Sequence, residues 1–87
     1  MSLTVDDLDN LRHTLGIDSR TPRKRWGWRN YYVGAPEDQS FARLIAAGFA
    51  RVAGTMNEGR DTIYRATVNG CLAVGMTDDE IEKSGAA

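Results

Sequence analysis

Nine residues within a stretch of thirteen carry most of the binding chemistry of this chain: Arg20, Arg23, Lys24, Arg25, Trp26, Trp28, Arg29, Tyr31 and Tyr32. Guanidinium and ammonium groups neutralise phosphates or carboxylates, and aromatic rings stack on flat ligands or fill apolar pockets. Positions 20–32 hold five cations and no acid, so the remainder of a chain of net charge −1 carries −6. Segregation of that kind says more about partners than the total does. One use of such a segment is contact with nucleic acid, cations on phosphates and rings on bases or sugars. Another is contact with protein, where tryptophan, tyrosine and arginine dominate interface energetics. A purely architectural use is also open, with one tryptophan plugging the core while the cations keep a long loop solvated. A domain this short is expected to bury at least one of its two indoles.

Catalytic chemistry finds no comparable set. His13 is the single histidine and Cys71 the single cysteine, whereas a structural zinc site needs about four such ligands. No Gly-Lys-Ser/Thr step is present to cradle a phosphate. Cys71 falls on the apolar face of its helix and reads as an inert core thiol. The acids Asp6, Asp7 and Asp9, like Asp78, Asp79 and Glu80, sit in first helical turns, where the helix dipole favours them. The reading is a non-enzymatic chain with no cofactor and no metal.

The elements that must position the basic aromatic segment follow from local signals. Thr4 reads as an N-cap with Asp7 completing a capping box, and Leu3 and Leu8 occupy hydrophobic-staple positions. Leu8, Leu11 and Leu15 form an apolar stripe, and Gly16 with Ile17 suits a Schellman closure, placing a helix over 5–15. Thr21-Pro22 excludes helix, so 18–35 reads as an ordered loop with at most one helical turn. A second helix is predicted over 36–47, with Pro36 at its first position, Glu37 and Asp38 in the first turn, and Phe41, Leu44 and Ile45 buried. Gly48 ends it and Phe49 packs back. Two strands, 50–56 and 60–66, flank the turn Asn57-Glu58-Gly59. In the second strand Thr62, Tyr64 and Ala66 share one face, Ile63 and Arg65 the other. Thr67 caps a short helix carrying Val68, Cys71, Leu72 and Val74, closed by Gly75. Thr77 and Glu80 form a capping box over a last helix that holds Ile81, and residues 84–87 are expected to fray.

The predicted outer face of the second helix carries Gln39, Ala42, Arg43, Ala46 and Ala47. Gln39 and Arg43 are side chains able to read base edges. The acids Glu37 and Asp38 stand at the end a recognition helix presents to DNA, and phosphates would repel them. The alanines permit close approach of another helix. The hairpin tip, Met56-Asn57-Glu58-Gly59-Arg60-Asp61, carries two acids against one arginine, which is unlike a DNA-contacting wing.

The run from position 41 to 74 is similar to the second half of a bacterial winged-helix domain. Leu44-Ile45-Ala46-Ala47-Gly48 resembles its helix end, and Tyr64-Arg65-Ala66-Thr67-Val68-Asn69-Gly70 its return from the wing. The chain as a whole resembles a group of short phage and prophage proteins through Leu11-Arg12-His13-Thr14-Leu15-Gly16-Ile17, Trp26-Gly27-Trp28-Arg29-Asn30-Tyr31-Tyr32 and the step from Thr67 to Gly70-Cys71. These resemblances imply one α+β, winged-helix-like domain over 1–87: helix, basic loop, helix, two-stranded hairpin wing, short C-terminal helices. The basic loop stands where the first helix of a helix-turn-helix belongs, which argues against the usual docking on DNA. The expected role is a phage-encoded protein-interaction module, in virion assembly or host-factor binding. The alternative is a phage nucleic-acid-binding regulator using the loop at 20–29, assisted by Gln39 and Arg43. The expected partners are a phage structural or host protein, with DNA as the alternative and no membrane. No run approaches the ~18 apolar residues of a membrane span, and positions 1–7 lack the features of a signal peptide. The expected setting is the bacterial host cytoplasm or a virion. The single stripe of the first helix neither demands nor forbids a dimer.

Overall fold

A computed structural model describes residues 3–86. Thr4 caps α1 (Val5–Thr14): its side chain accepts from the Asp7 amide, and the Asp7 carboxylate accepts from the Thr4 amide. The helix closes as its sequence predicts, with Gly16 at φ +73° and the amides of Gly16 and Ile17 donating to the His13 and Arg12 carbonyls. Only a residue free to enter the left-handed region makes that closure cheaply. α2 and α3 end in the same way at Gly48 and Gly75, each followed by an apolar residue that folds back toward the core, Phe49 and Met76.

α2 spans Gln39–Ala46, three residues shorter at its start than the sequence suggests. The Asp38 side chain accepts from the Phe41 amide and is the N-cap, so Pro36 and Glu37 lie outside the helix in a preceding turn. A side-chain acceptor for the orphan amides decides the boundary over the mild preference of proline for a first turn. Phe41 and Leu44 are fully buried, whereas Ile45 is exposed.

The sheet has three antiparallel strands in the order β1-β3-β2, formed by β1 (Tyr32–Gly34), β2 (Ala50–Met56) and β3 (Asp61–Ala66). β1 was not expected. It pairs with β3 through Tyr32–Tyr64, Val33–Ile63 and Gly34–Thr62. The hairpin of β2 and β3 matches its sequence signals, with Asn57, Glu58 and Gly59 all at positive φ in the turn. It carries a bulge at Ala53, between Val52 opposite Tyr64 and Gly54 opposite Ile63. Thr62, Tyr64 and Ala66 are buried, as the alternation of β3 predicts.

α3 (Val68–Ala73) and α4 (Asp78–Ser84) follow, each with the predicted threonine cap and α4 with a complete capping box. Cys71 and Val74 are buried, whereas Val68 and Leu72 face outward. Gly70 sits so close to the Phe49 carbonyl that a Cβ there would stand 2.0 Å from its oxygen. The predicted fraying is not observed at 84–86: Ser84 is buried, donates to the Ile81 carbonyl and accepts from the Ala86 amide, and Ala86 packs on the core. Ala87 lies outside the described residues.

The core joins Leu11, Leu15 and Ile17 of the first helix and its closure to Phe41, Leu44, Tyr64, Cys71, Met76 and Ile81. Phe41 and Tyr64 stack at 4.4 Å between ring centroids, and Tyr32 tilts on Phe41 at 4.8 Å. The result is an α+β architecture of four helices and one three-stranded antiparallel sheet among the described residues. None of these helices is long and apolar enough to cross a membrane.

Candidate partner-binding surface

The last turn of any α-helix leaves carbonyls without intrahelical partners. In α1 and its closure, four successive carbonyls are taken by the basic aromatic segment. Leu15 O accepts from the Gly27 amide at 3.1 Å and Thr14 O from the Tyr31 amide at 3.0 Å. Gly16 O accepts from the Trp28 indole at 3.0 Å, and His13 O from two nitrogens of Arg29 at 2.7 and 3.2 Å. The positive Arg29 head also complements the negative end of the helix dipole. The segment is therefore held by the end of α1.

Its other side is tied to the C-terminal helices. Arg23 makes a bidentate pair with Glu80 at 2.8 Å, donates to the Gly75 carbonyl and lies 4.0 Å from the centre of the Trp26 ring. The guanidinium holds the Glu80 carboxyl well below the usual carboxylate range. Lys83 donates to the Lys24 carbonyl. Arg23, Lys24 and Arg25 themselves form one 3-10 turn. Asn30 is buried and behaves like an extra peptide group: its amide oxygen accepts from the Ala66 amide and its nitrogen donates to the Ala66 carbonyl, extending the β1–β3 ladder beyond the start of β1. Arg65 adds a bond to the Asn30 carbonyl.

What remains open is a ridge. Trp28 is 52% and Tyr31 51% exposed, and the Arg29 guanidinium lies within 5.6 Å of both ring centres. Val33, the next residue on the same side as Tyr31, is also exposed. Arg25 stands 5.8 Å from the Trp28 ring. Beside the ridge, Gly16, Asp18, Arg20, Thr21, Pro22, Arg25 and Trp28 line a recess of about 230 Å³. A second groove of about 450 Å³ has Ile17 and Trp26 in its lining and Asp9, Arg12 and Asp18 among its charges.

The sequence-predicted residues thus divide. Arg20, Arg25, Trp28, Arg29 and Tyr31 come together on one surface, whereas Lys24 is exposed on the 3-10 turn without lining the recess. Trp26 is half-buried against the core, so neither indole is fully buried; the largest fully buried side chains are Tyr64 and Phe41. Tyr32 is half-buried between His13 and Phe41. Arg23 is a structural tie. Gln39 is exposed at the start of α2, remote in role from Arg43, which does not face outward. Arg43 makes a bidentate pair with Asp7 at 2.8 Å. Asp7 is fully buried, and Arg43, Thr4 and Ser40 hold its carboxyl far below the ordinary range. The pair across the α1–α2 contact removes the proposed base-reading face, because a buried carboxylate without its cation is far costlier than a solvent-exposed arginine.

Three participants were missed at the level of sequence: Asn30, Gly16 as the platform beneath Trp28, and Val33. The positive φ of Gly16 was legible, but the indole lying on it was not. A Cβ at Gly16 would stand 2.2 Å from the indole nitrogen. Cys71 is fully buried and its thiol pKa is raised by desolvation, the direction of an unreactive core cysteine. Among the described residues, no group of three or more His, Cys, Asp or Glu side chains is placed to hold a metal. Comparison with protein-family models, curated proteins and solved structures finds no match to this chain.

Proposed function

We propose that the chain is a non-enzymatic protein-interaction module whose contact surface is the ridge of Trp28, Arg29 and Tyr31. One observation carries the reading: two aromatic rings stand half exposed while the chain bearing them is fastened to the end of α1 by five hydrogen bonds. Rings and a guanidinium ordered before contact lose little side-chain entropy on binding, and these residue types dominate measured hot spots. The order helix, strand, helix, hairpin, with β1 beside β3, supports a winged-helix-like description. The phage setting, and with it a virion component or host factor as partner, rests on the resemblance of positions 11–17, 26–32 and 67–71.

The test is quantitative affinity purification from induced host cells with the full chain and a Trp28→Ala/Tyr31→Ala variant. The variant's Tm should stay within a few degrees of the parent. A partner retained by the parent and lost by the variant, then re-bound in purified form, supports the reading. Equal retention by both overturns it.

A second reading, a nucleic-acid-binding protein, is favoured by one feature: Arg20, Lys24 and Arg25 make no side-chain ion pair or hydrogen bond among the described residues, and Arg25 flanks an exposed indole. Tight, salt-sensitive oligonucleotide binding that vanishes on neutralising these three would put it first.

A further inference from the structure

Resting on the interaction-module reading, we infer that the partner segment is acidic, with carboxylates seated between Arg20 and Arg25 and an apolar side chain laid on Trp28. Charge is the first argument. The cations of the loop are in two states. Arg23 is paired with Glu80 and Arg29 donates to the His13 carbonyl, while Arg20, Lys24 and Arg25 make no side-chain hydrogen bond or ion pair among the described residues, and Arg20 and Arg25 line one recess of about 230 Å³. Two unpaired guanidinium forks at one recess fit planar carboxylates, which accept bidentate bonds.

The acid already in the recess does not take those forks. Asp18 is turned into the backbone, its carboxylate accepting from the Arg20 amide at 2.7 Å and from the Thr21 hydroxyl at 3.0 Å. These bonds lower its pKa, so it stays a charged local cap. Trp28 supplies the apolar half. Its only donor is spent on the Gly16 carbonyl, and the half-exposed ring beside Arg25 and Arg29 offers a partner apolar surface. In the larger groove next to it Arg12 is already paired with Asp9, so an acidic segment is directed to the Arg20 and Arg25 side.

Protein carboxylate is favoured over nucleic-acid phosphate by number. A polyphosphate strand needs a track of cations; Glu80 and Asp7 neutralise Arg23 and Arg43, and the His13 carbonyl occupies two of the nitrogens of Arg29. Two forks beside one ring suit a short acidic motif.

The test is selection of a random-peptide display library on the immobilised full chain, followed by titration of the enriched peptides. Enrichment of peptides rich in Asp and Glu is expected, with affinity falling about tenfold in Arg20→Ala/Arg25→Ala and at least as much in Trp28→Ala. Peptides with Glu exchanged for Lys should bind Arg20→Glu/Arg25→Glu in preference to the parent chain. Enriched peptides that depend on Trp28 but are neutral, and indifferent to the two arginines, overturn the acidic partner and leave the interaction module standing. Peptides indifferent to Trp28 overturn both. Displacement of acidic peptides by a thymidine oligonucleotide of tighter Kd also overturns both, in favour of nucleic acid.

Discussion

Asp7 does three jobs with one carboxylate: it closes the capping box of α1, accepts from the Ser40 hydroxyl and receives the Arg43 fork, all with no exposure to solvent. Removing Arg43 would leave the charge buried and half satisfied, which is among the costlier single changes a small domain can suffer. Arg43→Met is expected to lower Tm by roughly 10 °C at neutral pH, measured by calorimetry. The sign with pH follows from the folded-state pKa lying below the unfolded value. The stabilisation by Asp7 is fully present above about pH 4 and is lost as pH falls toward the folded pKa. In Arg43→Met the desolvated carboxyl titrates higher, so acid unfolding should begin at a higher pH than in the parent. An unchanged acid limb would mean that the pair is not coupled to folding. Gly16 offers a second test at this scale. Alanine there must hold a left-handed φ, at a cost of about 1–2 kcal/mol, and its Cβ collides with the Trp28 indole. Gly16→Ala should therefore fold, shift Trp28 fluorescence and weaken partner binding although no contact residue has changed. Binding equal to the parent's would separate the ridge from its platform.

At the scale of elements, the local signals and the long-range ones fared differently. Three threonine caps, three glycine closures and the alternation of β3 were readable because each is decided within a few residues. β1 was not, since a three-residue strand has no period of its own and exists through pairing with residues about thirty positions away. The start of α2 was misplaced because Asp38 can be either a first-turn acid or a cap, and only the bond to Phe41 distinguishes the two. The basic segment is legible as the contact region by composition, yet which cations are available depends on Glu80 for Arg23, the His13 carbonyl for Arg29 and, for Arg43 of α2, Asp7 of α1, at separations from 16 to 57 positions. After α1, α4 is the element that bears on the site, through Arg23 and the Lys24 carbonyl. Glu80→Ala should leave the core intact but release the 3-10 turn, and faster amide hydrogen exchange at 23–28 with near-parental protection in β3 is the expected pattern. Exchange rising equally in β3 would mean that α4 supports the core rather than the loop. Gly70→Ala tests the opposite kind of contact: backbone faces backbone at Phe49, nothing can swing away, and a loss of about 2–3 kcal/mol in denaturant titration is expected.

For the whole molecule, the question is what a net charge of −1 with a basic loop does in the field of a polyanion. The recess presents Arg20 and Arg25, Lys24 is exposed on the adjoining 3-10 turn, and the nearest acids beyond them in sequence are Asp18 and Glu37. The remaining surface is acidic, including Asp78, Asp79 and Glu82 on α4, the same helix that anchors the loop. A duplex approaching the loop would gain three phosphate contacts at most while bringing its other phosphates toward those acids. Counterion release then predicts a shallow salt dependence, a slope of log K on log salt no steeper than about −3, and weak binding even at low salt. Titration of the purified chain into labelled duplex DNA over a range of salt concentrations measures both quantities directly. A slope near −6 or beyond, with submicromolar Kd at low salt, would require cations that the ties to Glu80, His13 and Asp7 now withhold, and so a rearranged loop in the complex. A shallow slope and weak binding would match a molecule whose long-range field repels polyanions while a short-range patch accepts a small acidic motif, a combination that filters against nucleic acid in favour of protein.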